Sequence, residues 1–445
     1  MFSVFPASFF RSGYRVLAAI LVFLILQQYL TFRKPFPVGQ KYPDQKDAPP
    51  TCDSLEGLDD LFVILRTGAS EAPKKLPVHF STTLRCVPHY AIYSDYEEDI
   101  EGHHVYNALD EINPEIISTH PDFEYYRRLQ EKGREAFSSE ELEKWGSAKN
   151  TNGGRDSPGW RLDKWKFLPL AEKAFRERPN AKWYIFIESD TYMLWQTLLE
   201  WLSHFDASEP HYLGMQMQIG DVVFAYGGGG FAISNPALNK VVEHRRENLK
   251  FYDDFTGAHW AGDCVLGKAL ADAGVKLLWS FPNLAGDQPA DMNFNSSFGG
   301  SNKTPWCFHA ASYHHLPPAE YHKLAKFEQT WNRENTSRLR HGDIFKYYIL
   351  PQISSNRSDW DNLSDADQGP ITSFDECRSI CESQPDCKQF SFTEQSCKIS
   401  TALILGHRVP EDTTPRIMSG WIMERVKDYP ERMDKYCDHQ SWILS

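Results

Sequence analysis

The stretch Trp183-Tyr-Ile-Phe-Ile187, followed at once by Glu188-Ser-Asp-Thr-Tyr192, decides the fold class of this chain. Five apolar residues in a row predict a strand buried on both faces. Two further runs, Leu61-Phe-Val-Ile-Leu65 and Tyr90-Ala-Ile-Tyr93, predict two more strands, and residues 165–176 carry apolar side chains at helical spacing. Strands that alternate with helices predict an α/β domain with a largely parallel sheet, in which ligands bind where the strands end.

Two carboxylates follow the predicted strand at that end. Glu188 and Asp190 are two positions apart, and hard oxygen ligands in this arrangement suit Mg²⁺ or Mn²⁺. By itself the motif is weak, because solvated carboxylates are common in loops. The two residues are therefore a candidate metal site only in combination with other motifs.

A glycine run supplies a second motif. In Tyr226-Gly-Gly-Gly-Gly-Phe-Ala-Ile-Ser234 the glycines Gly228, Gly229 and Gly230 let the backbone approach a ligand closely before apolar sequence resumes. The alternative is a flexible turn. Four glycines in succession beside an apolar segment favour the ligand-binding interpretation without excluding the turn.

An acid and a histidine pair complete the candidate residues. Asp263 lies at the start of a predicted helix, where it is either a helix cap or a general base. The paired His314 and His315 follow later, and an imidazole beside carboxylates is a reasonable third ligand for Mn²⁺. Lone histidines are more often structural, so these assignments depend on the fold bringing the motifs together.

Composition limits the partners. The chain has 445 residues, of which 47 are basic and 60 acidic, giving a net charge of −13. An acidic chain without a long basic block is not expected to bind nucleic acid. An anionic ligand would have to be held locally, by a metal ion or by oriented backbone amides.

The N-terminus predicts a membrane protein. Residues 16–32 are mostly apolar with basic residues on both sides, and no convincing cleavage site follows. We expect a cytoplasmic tail at 1–15, a transmembrane signal anchor at 16–32 and a proline-containing stem at 33–57. A cleaved signal peptide and a buried core helix are the alternatives.

Glycosylation sequons and cysteines give the orientation. Five Asn-x-Ser/Thr sequons begin at Asn295, Asn302, Asn335, Asn356 and Asn362, and the chain contains nine cysteines. Both features favour an oxidising, glycosylating compartment. We therefore expect a single-pass type II protein of the Golgi or endoplasmic reticulum membrane, with its C-terminal part in the lumen.

Taken in order, the motifs resemble glycosyltransferase family 31, with the closest similarity to its core 1 β1,3-galactosyltransferase and fringe branch. The resemblance covers about residues 61–331 and also includes Trp165-Lys166 and the Glu-Pro-x-Tyr-x-Gly pattern at Glu209 to Gly214. It implies a GT-A type nucleotide-sugar-binding domain, predicted at 58–350. It further implies a UDP-sugar donor, a divalent metal that is usually Mn²⁺ (or Mg²⁺), and inversion at the anomeric carbon.

The resemblance also implies roles for individual residues. Asp190 matches the metal-binding aspartate, and His314 matches the histidine that completes the coordination. Glu188 stands where the family has Asp, with a role toward metal or ribose. Asp263 matches the acid proposed as general base, and the three glycines match the segment that lines the donor and acceptor cleft.

The last part of the chain, 351–445, is predicted to be a linker and a small disulfide-stapled α+β domain. The spacing of Cys377, Cys381, Cys387 and Cys397 favours disulfides over zinc. The segment resembles the PAN/apple family and, with the transferase region, fungal proteins. That resemblance implies the pairs Cys377–Cys397 and Cys381–Cys387 and a protein or carbohydrate ligand, although a purely structural role is an equal alternative.

Five cysteines then remain, so at least one is unpaired or pairs with another chain. We expect a bridge between Cys264 and Cys307, which would tie the segment of the candidate base to the loop before His314.

The predicted function is a metal-dependent inverting glycosyltransferase that moves a sugar, galactose being favoured, from a UDP-sugar to a hydroxyl of an acceptor glycan or glycoprotein, with a β1,3 linkage. Two alternatives come from other classes of protein. One is a catalytically inactive chaperone or glycan-binding protein on the same fold, and the other is an adhesion protein in which the C-terminal domain carries the function.

Overall fold

The computed structural model describes residue 52 and residues 55–146, 157–299, 303–335, 337–410, 413–437 and 442–445. These residues belong to one compact unit, Ala48–Ser445. The predicted tail, anchor and most of the stem lie outside the described residues. Within the described ranges, no helix is both long enough and apolar enough to cross a membrane.

The three predicted strands are neighbours in a central sheet. The strands that build this sheet are β1 (Leu61–Arg66), β2 (Tyr90–Ser94), β3 (Glu98–Ile100), β4 (His103–Asn107), β5 (Trp183–Glu188), β7 (Tyr212–Gly214), β10 (Phe231–Ser234) and β11 (Leu277–Trp279). Their order is β11-β7-β10-β5-β1-β2-β4-β3. Strand β1 is parallel to β2 and to β5, whereas β10 is antiparallel to β5. The sheet confirms the α/β class and is mixed instead of uniformly parallel.

Short strands outside the central sheet build the rim of the sheet and the C-terminal part of the chain. Near the rim lie β6 (Tyr192–Met193), β8 (Gln216–Ile219), β9 (Val222–Ala225) and β12 (Ser312–Tyr313); toward the C-terminus lie β13 (Asn356–Ser358), β14 (Trp360–Asp361), β15 (Ala366–Asp367), β16 (Gln389–Thr393), β17 (Ser396–Ser400), β18 (His407–Arg408) and β19 (Met418–Trp421). A five-stranded antiparallel sheet has the order β13-β19-β16-β17-β15.

Helices cover the sheets. They are α1 (Ala72–Ser81), α2 (Pro114–Thr119), α3 (Glu124–Lys132), α4 (Ser139–Gly146), α5 (Pro158–Asp163), α6 (Phe167–Glu177), α7 (Trp195–Leu202), α8 (Asn235–Glu247), α9 (Leu249–Ala258), α10 (Gly262–Asp272), α11 (Pro318–Glu334), α12 (His341–Ile344), α13 (Phe374–Ser383), α14 (Met423–Lys427) and α15 (Tyr429–Asp434). The helix predicted at 165–176 is α6, whose buried side chains include Phe167, Leu168 and Ala171. All six residues of β1 and most of β5 are buried, so these strands offer an apolar surface on which α6 packs.

The C-terminal part shares a hydrophobic core with the predicted transferase region. Trp421 and Tyr429 are buried in the same cluster as Tyr192 and Tyr313, which lie beside the candidate site. The indole of Trp306 donates to Asp434 Oδ1 at 2.8 Å. Since burying aromatic side chains contributes strongly to stability, the C-terminal segment supports the strand that leads to His314.

The disulfides correct one expectation. The pairs implied for the C-terminal domain, Cys377–Cys397 and Cys381–Cys387, are both present. The expected Cys264–Cys307 bridge is wrong, because Cys307 pairs with Cys437 and Cys264 is a buried free thiol. The remaining pair is Cys52–Cys86. The core that the C-terminal part shares with the region around Trp306 brings Cys437 to Cys307, whereas the helix that carries Asp263 does not supply its partner.

One sequon is also corrected. The side chain of Asn362 is buried and its amide nitrogen donates to the carbonyl oxygens of Phe390 and Gly420. A glycan on this nitrogen is incompatible with the folded C-terminal sheet. Asn295 and Asn356 are exposed, so the case for glycosylation rests on sites such as these.

We expect the double variant Cys307→Ala/Cys437→Ala to be the least stable of the paired-cysteine variants. The bridge spans 130 residues, and releasing so large a loop should lower the free energy of unfolding by about 2–4 kcal/mol. Urea denaturation measures the change. The matched control is Cys52→Ala/Cys86→Ala, whose loop of 34 residues predicts an effect about 1 kcal/mol smaller. Equal effects of the two double variants would contradict the loop-length argument.

Candidate functional site

The predicted residues converge at the carboxyl edge of the central sheet. Strands β1 and β5 end side by side, with Arg66 paired in register with Glu188. They open on a cavity of about 350 Å³ whose lining includes Glu188, Asp263, His314 and His315. This is the edge at which ligands bind in parallel α/β sheets.

Asp190 and His314 form a buried pair, although they are 124 residues apart in sequence. Pairing of β6 with β12 aligns Tyr192 with Tyr313, and this register brings the flanking residues together. His314 Nε2 lies 3.0 Å from Asp190 Oδ1. Burial alone would lower the pKa of His314, but the charge and hydrogen bond of Asp190, with help from Glu188, raise it to about 10. The pair is therefore a salt bridge at neutral pH in the absence of a cation.

Lys75 from α1 is a second cation at this carboxylate. Its Nζ lies 3.1 Å from Asp190 Oδ2 and 2.7 Å from a carboxylate oxygen of Glu71. Burial opposes ionisation of Asp190, yet His314 and Lys75 together hold the pKa of Asp190 well below its usual range. Asp190 is thus an anion across the physiological pH range.

His315 belongs to the same cluster. The possible ligand atoms of Asp190, His314 and His315 all lie within 4.8 Å of one another. His315 adopts a left-handed backbone conformation with φ of 59°, which costs a non-glycine residue energy and is often found at functional sites. Burial, followed by the charge of His314, lowers the pKa of His315 to about 4, so its imidazole is neutral and able to bind a metal.

One oxygen and two nitrogen donors suit a divalent transition-metal ion. The fit is further supported by the space around His314: a Cβ on Gly228 would lie 2.1 Å from His314 Cε1, so only glycine lets the imidazole occupy this position. Glu188 contributes less directly. Its Oε2 is 3.8 Å from His314 Nε2, while its other oxygen binds Arg66.

Arg66 holds Glu188 at the edge of the cavity. Its guanidinium binds both Glu188 and Asp163 and lies over the ring of Phe167 at 4.0 Å. Although burial raises the pKa of Glu188, Arg66 first and His314 second bring it to about 2. Glu188 is thus held as a carboxylate by an arginine on the neighbouring strand.

The glycine segment packs against His314 and Ser312. The predicted residues Gly228, Gly229 and Gly230 are not among the residues that line the cavity. Instead, the carbonyl oxygen of Gly229 accepts from Ser312 Oγ, and Gly228 packs on His314. Gly230 has φ of 73°, a conformation that favours glycine. Their small size thus lets the loop pack beneath the histidine.

Asp263 lies in the first turn of α10 but is not its N-cap, which is Ala261. Asp263 Oδ2 accepts a hydrogen bond from the backbone N–H of Gly227 at 3.0 Å. Burial raises the pKa of Asp263 to about 6, with Glu188 adding to the shift and the hydrogen bond opposing it. A carboxylate with a pKa near the working pH, facing a cavity, is well suited to accept a proton.

Arg66 and Lys75 are not among the residues predicted from the sequence, and only His314 of the histidine pair has a predicted role there. Arg66 follows the apolar run 61–65 directly, just as Glu188 follows 183–187, so its position at a strand end was a usable signal. His315 is adjacent to His314 in the sequence, and this adjacency was its signal. No sequence pattern marks Lys75 as a site residue, because only the packing of α1 brings it to Asp190.

Together, the mixed α/β sheet and its buried titratable groups define an enzyme-like site. A family model described as Fringe-like matches residues 56–282, about half of the chain. The chain belongs to the Fringe-like family, and this membership supports a glycosyltransferase. No curated protein matches the sequence.

Proposed function

We propose that the chain is a metal-dependent inverting glycosyltransferase. It transfers a sugar, with galactose favoured, from a UDP-sugar to a hydroxyl of an acceptor glycan or glycoprotein and forms a β1,3 linkage. The single observation that carries the proposal is the cavity lined by both Asp263 and His314, the second of which is paired with Asp190. Asp190 and His314 are suited to bind a cation, and Asp263 is suited to accept a proton. A single displacement needs both, because the leaving diphosphate must be stabilised and the attacking hydroxyl must lose its proton.

Asp263 acts on the acceptor. Its carboxylate removes the proton of the attacking hydroxyl while the oxygen forms a bond to the anomeric carbon. The bond from that carbon to the diphosphate oxygen breaks, and its electron pair stays on the released UDP. Attack from the face opposite the leaving group inverts the configuration.

Asp190 and His314, with His315 in reach, would hold the divalent ion, Mn²⁺ being favoured over Mg²⁺ by the nitrogen donors. When bound, the ion supplies charge stabilisation to the diphosphate as it leaves. His314 must give up its proton to bind a metal, and Lys75 can then pair with Glu71 alone. Arg66 keeps Glu188 ionised at the rim of the cavity, where it can accept hydrogen bonds from ribose or from water bound to the metal.

We place this activity in the lumen of the Golgi or endoplasmic reticulum. The predicted anchor at 16–32, the four disulfides and exposed sequons such as Asn295 support the proposal. Cytosolic proteins rarely keep such disulfides. The C-terminal domain, by its resemblance to PAN/apple modules, is proposed to bind protein or carbohydrate.

The test follows UDP release from a panel of UDP-sugars by the purified full-length chain, with and without Mn²⁺. We expect turnover of one donor only when Mn²⁺ is present, and slow hydrolysis suffices if the acceptor is missing. Calorimetry with UDP is run in parallel. Failure to bind UDP in the presence of Mn²⁺ would refute the proposal, and metal-dependent binding without turnover of any donor and acceptor would favour an inactive glycan-binding protein.

The pH profile gives a further prediction. Because the pKa of Asp263 is raised to about 6 and its ionised form is the base, kcat/KM should be constant above about pH 7. Below pH 6 it should fall by about tenfold per pH unit, as the carboxyl group becomes protonated. The profile is measured at saturating Mn²⁺, with UDP binding followed at each pH to separate the loss of metal. A profile that is flat between pH 5 and 7 would rule out this role for Asp263.

A further inference from the structure

A row of five aromatic rings leads from the wall of the cavity along the surface of α9. The row contains, in order, Trp160, Trp260, His259, Phe255 and Phe251. Successive ring centroids are 5.8, 6.1, 5.4 and 6.1 Å apart. Neighbouring ring planes are within 10° to 24° of parallel. The first two rings line the same cavity as Asp263.

Helix geometry builds the row. Phe251, Phe255 and His259 are spaced by four residues, so they lie on one face of α9 and its end. The end is fixed by two contacts to His259: Lys164 Nζ donates to its carbonyl oxygen at 2.8 Å, and its Nδ1 accepts from the N–H of Ala261 at 3.0 Å. These contacts fix the His259 end of the row next to Ala261, two residues before Asp263.

Two rings of the row are exposed and the other three are partly exposed. Phe251 is 50% exposed and Trp260 is 43% exposed, while the rings between them are half-buried. Centroid spacings of 5.4 to 6.1 Å exceed the roughly 3.5–4.0 Å of direct face-to-face contact, so the rings are offset sideways and do not cover one another fully. Single exposed apolar residues need no explanation, but a contiguous row of partly exposed rings beside a cavity favours a binding surface.

We infer that this aromatic row binds the carbohydrate chain of the acceptor beyond the sugar that carries the reacting hydroxyl. The inference rests on the proposed function. The row begins with Trp160 and Trp260, which line the cavity together with Asp263, the proposed base for that hydroxyl. The flat C–H face of a pyranose packs on an aromatic ring, and charged groups beside the row, such as Asp254 and Lys250, can bind its hydroxyls.

The experiment compares binding of galacto-oligosaccharides with one to four pyranose units to the full-length chain saturated with UDP and Mn²⁺, measured by calorimetry and saturation-transfer NMR. Variants are Phe251→Ala and the ring-retaining Phe251→Trp. The matched control is Leu249→Ala, which removes an equally exposed apolar side chain, 45% exposed, from the same helix but outside the row. None of these positions contacts the cavity, so UDP binding serves as a check of folding.

We expect affinity to increase with the number of pyranose units. Phe251→Ala should weaken the longest member by about 5- to 10-fold, as expected for one stacked ring, and leave the monosaccharide unchanged. Phe251→Trp and Leu249→Ala should behave like the parent protein.

Affinity that does not increase with length, or equal losses in Phe251→Ala and Leu249→Ala, would overturn the inference, because the second result would trace the loss to the helix as a whole and not to the aromatic ring. Failure of UDP to bind, with length-dependent oligosaccharide binding retained in its absence, would refute the proposed function and leave the aromatic row as a carbohydrate site.

Discussion

Replacing Asp263 by Asn is expected to reduce kcat of sugar transfer by about 10²- to 10⁴-fold, the range that a positioned general base contributes. The amide has nearly the same shape as the carboxylate but cannot accept the proton of the attacking hydroxyl. Affinity for UDP with Mn²⁺ should remain close to that of the parent protein, because Asp263 lies outside the cluster of possible metal ligands. Steady-state kinetics and calorimetry on the same preparation separate the two quantities.

A second Asp→Asn substitution on the same helix provides the control. Asp272, at the far end of α10, pairs with Lys268 on the surface, so Asp272→Asn should leave kcat unchanged. If Asp263→Asn kept more than a tenth of the parent activity, another group would have to be the base. Equal loss of UDP affinity and kcat would instead point to a role in binding.

Replacing Asp190 by Asn is expected to abolish metal-dependent binding of UDP. Asp190 is the one carboxylate in the cluster of possible ligands, and its substitution leaves two imidazoles to hold the ion. Loss of a residue that only supports a ligand already costs up to roughly 100-fold in metal affinity, so loss of the ligand should cost at least that much. Electron paramagnetic resonance of free Mn²⁺ measures the affinity directly, without any need for turnover.

The same variant tests the salt bridge. Because Asp190 raises the pKa of His314, the pKa of His314 should fall in Asp190→Asn, and NMR titration of the imidazole can follow it. The control is Asp291→Asn, which removes a carboxylate paired with His407 away from the cluster. Unchanged Mn²⁺ affinity in Asp190→Asn would exclude this residue as a ligand, and a comparable loss in Asp291→Asn would show that the assay reports general damage.

The cavity also explains how an acidic chain can accept an anion. Arg66, Lys164 and Lys166 line it, but each is paired with carboxylates. The paired cations do not by themselves give the cavity a large positive charge. In the proposed function a nucleotide diphosphate would therefore gain from a divalent ion at Asp190, and metal dependence stays a prediction from the net charge of −13.

The sequence by itself determined the local elements and the chemical types. Continuous apolar runs predicted β1, β2 and β5, because a strand buried on both faces has no need of alternation. The spacing of apolar residues predicted α6. Glu188, which ends β5, lies at the predicted edge of the sheet. These features depend on residues close together in the chain, so their physical causes are visible in the sequence.

Only the tertiary structure decided which distant residues meet. Pairing of β6 with β12 joins Asp190 to His314 across 124 residues, and packing of α1 adds Lys75. The same is true of Cys307, whose partner is Cys437 and not Cys264. Such contacts depend on how separate surfaces pack, which no short pattern records. They also shift pKa values, since the charge of Asp190 raises the pKa of His314 against the effect of burial, while burial raises the pKa of Asp263.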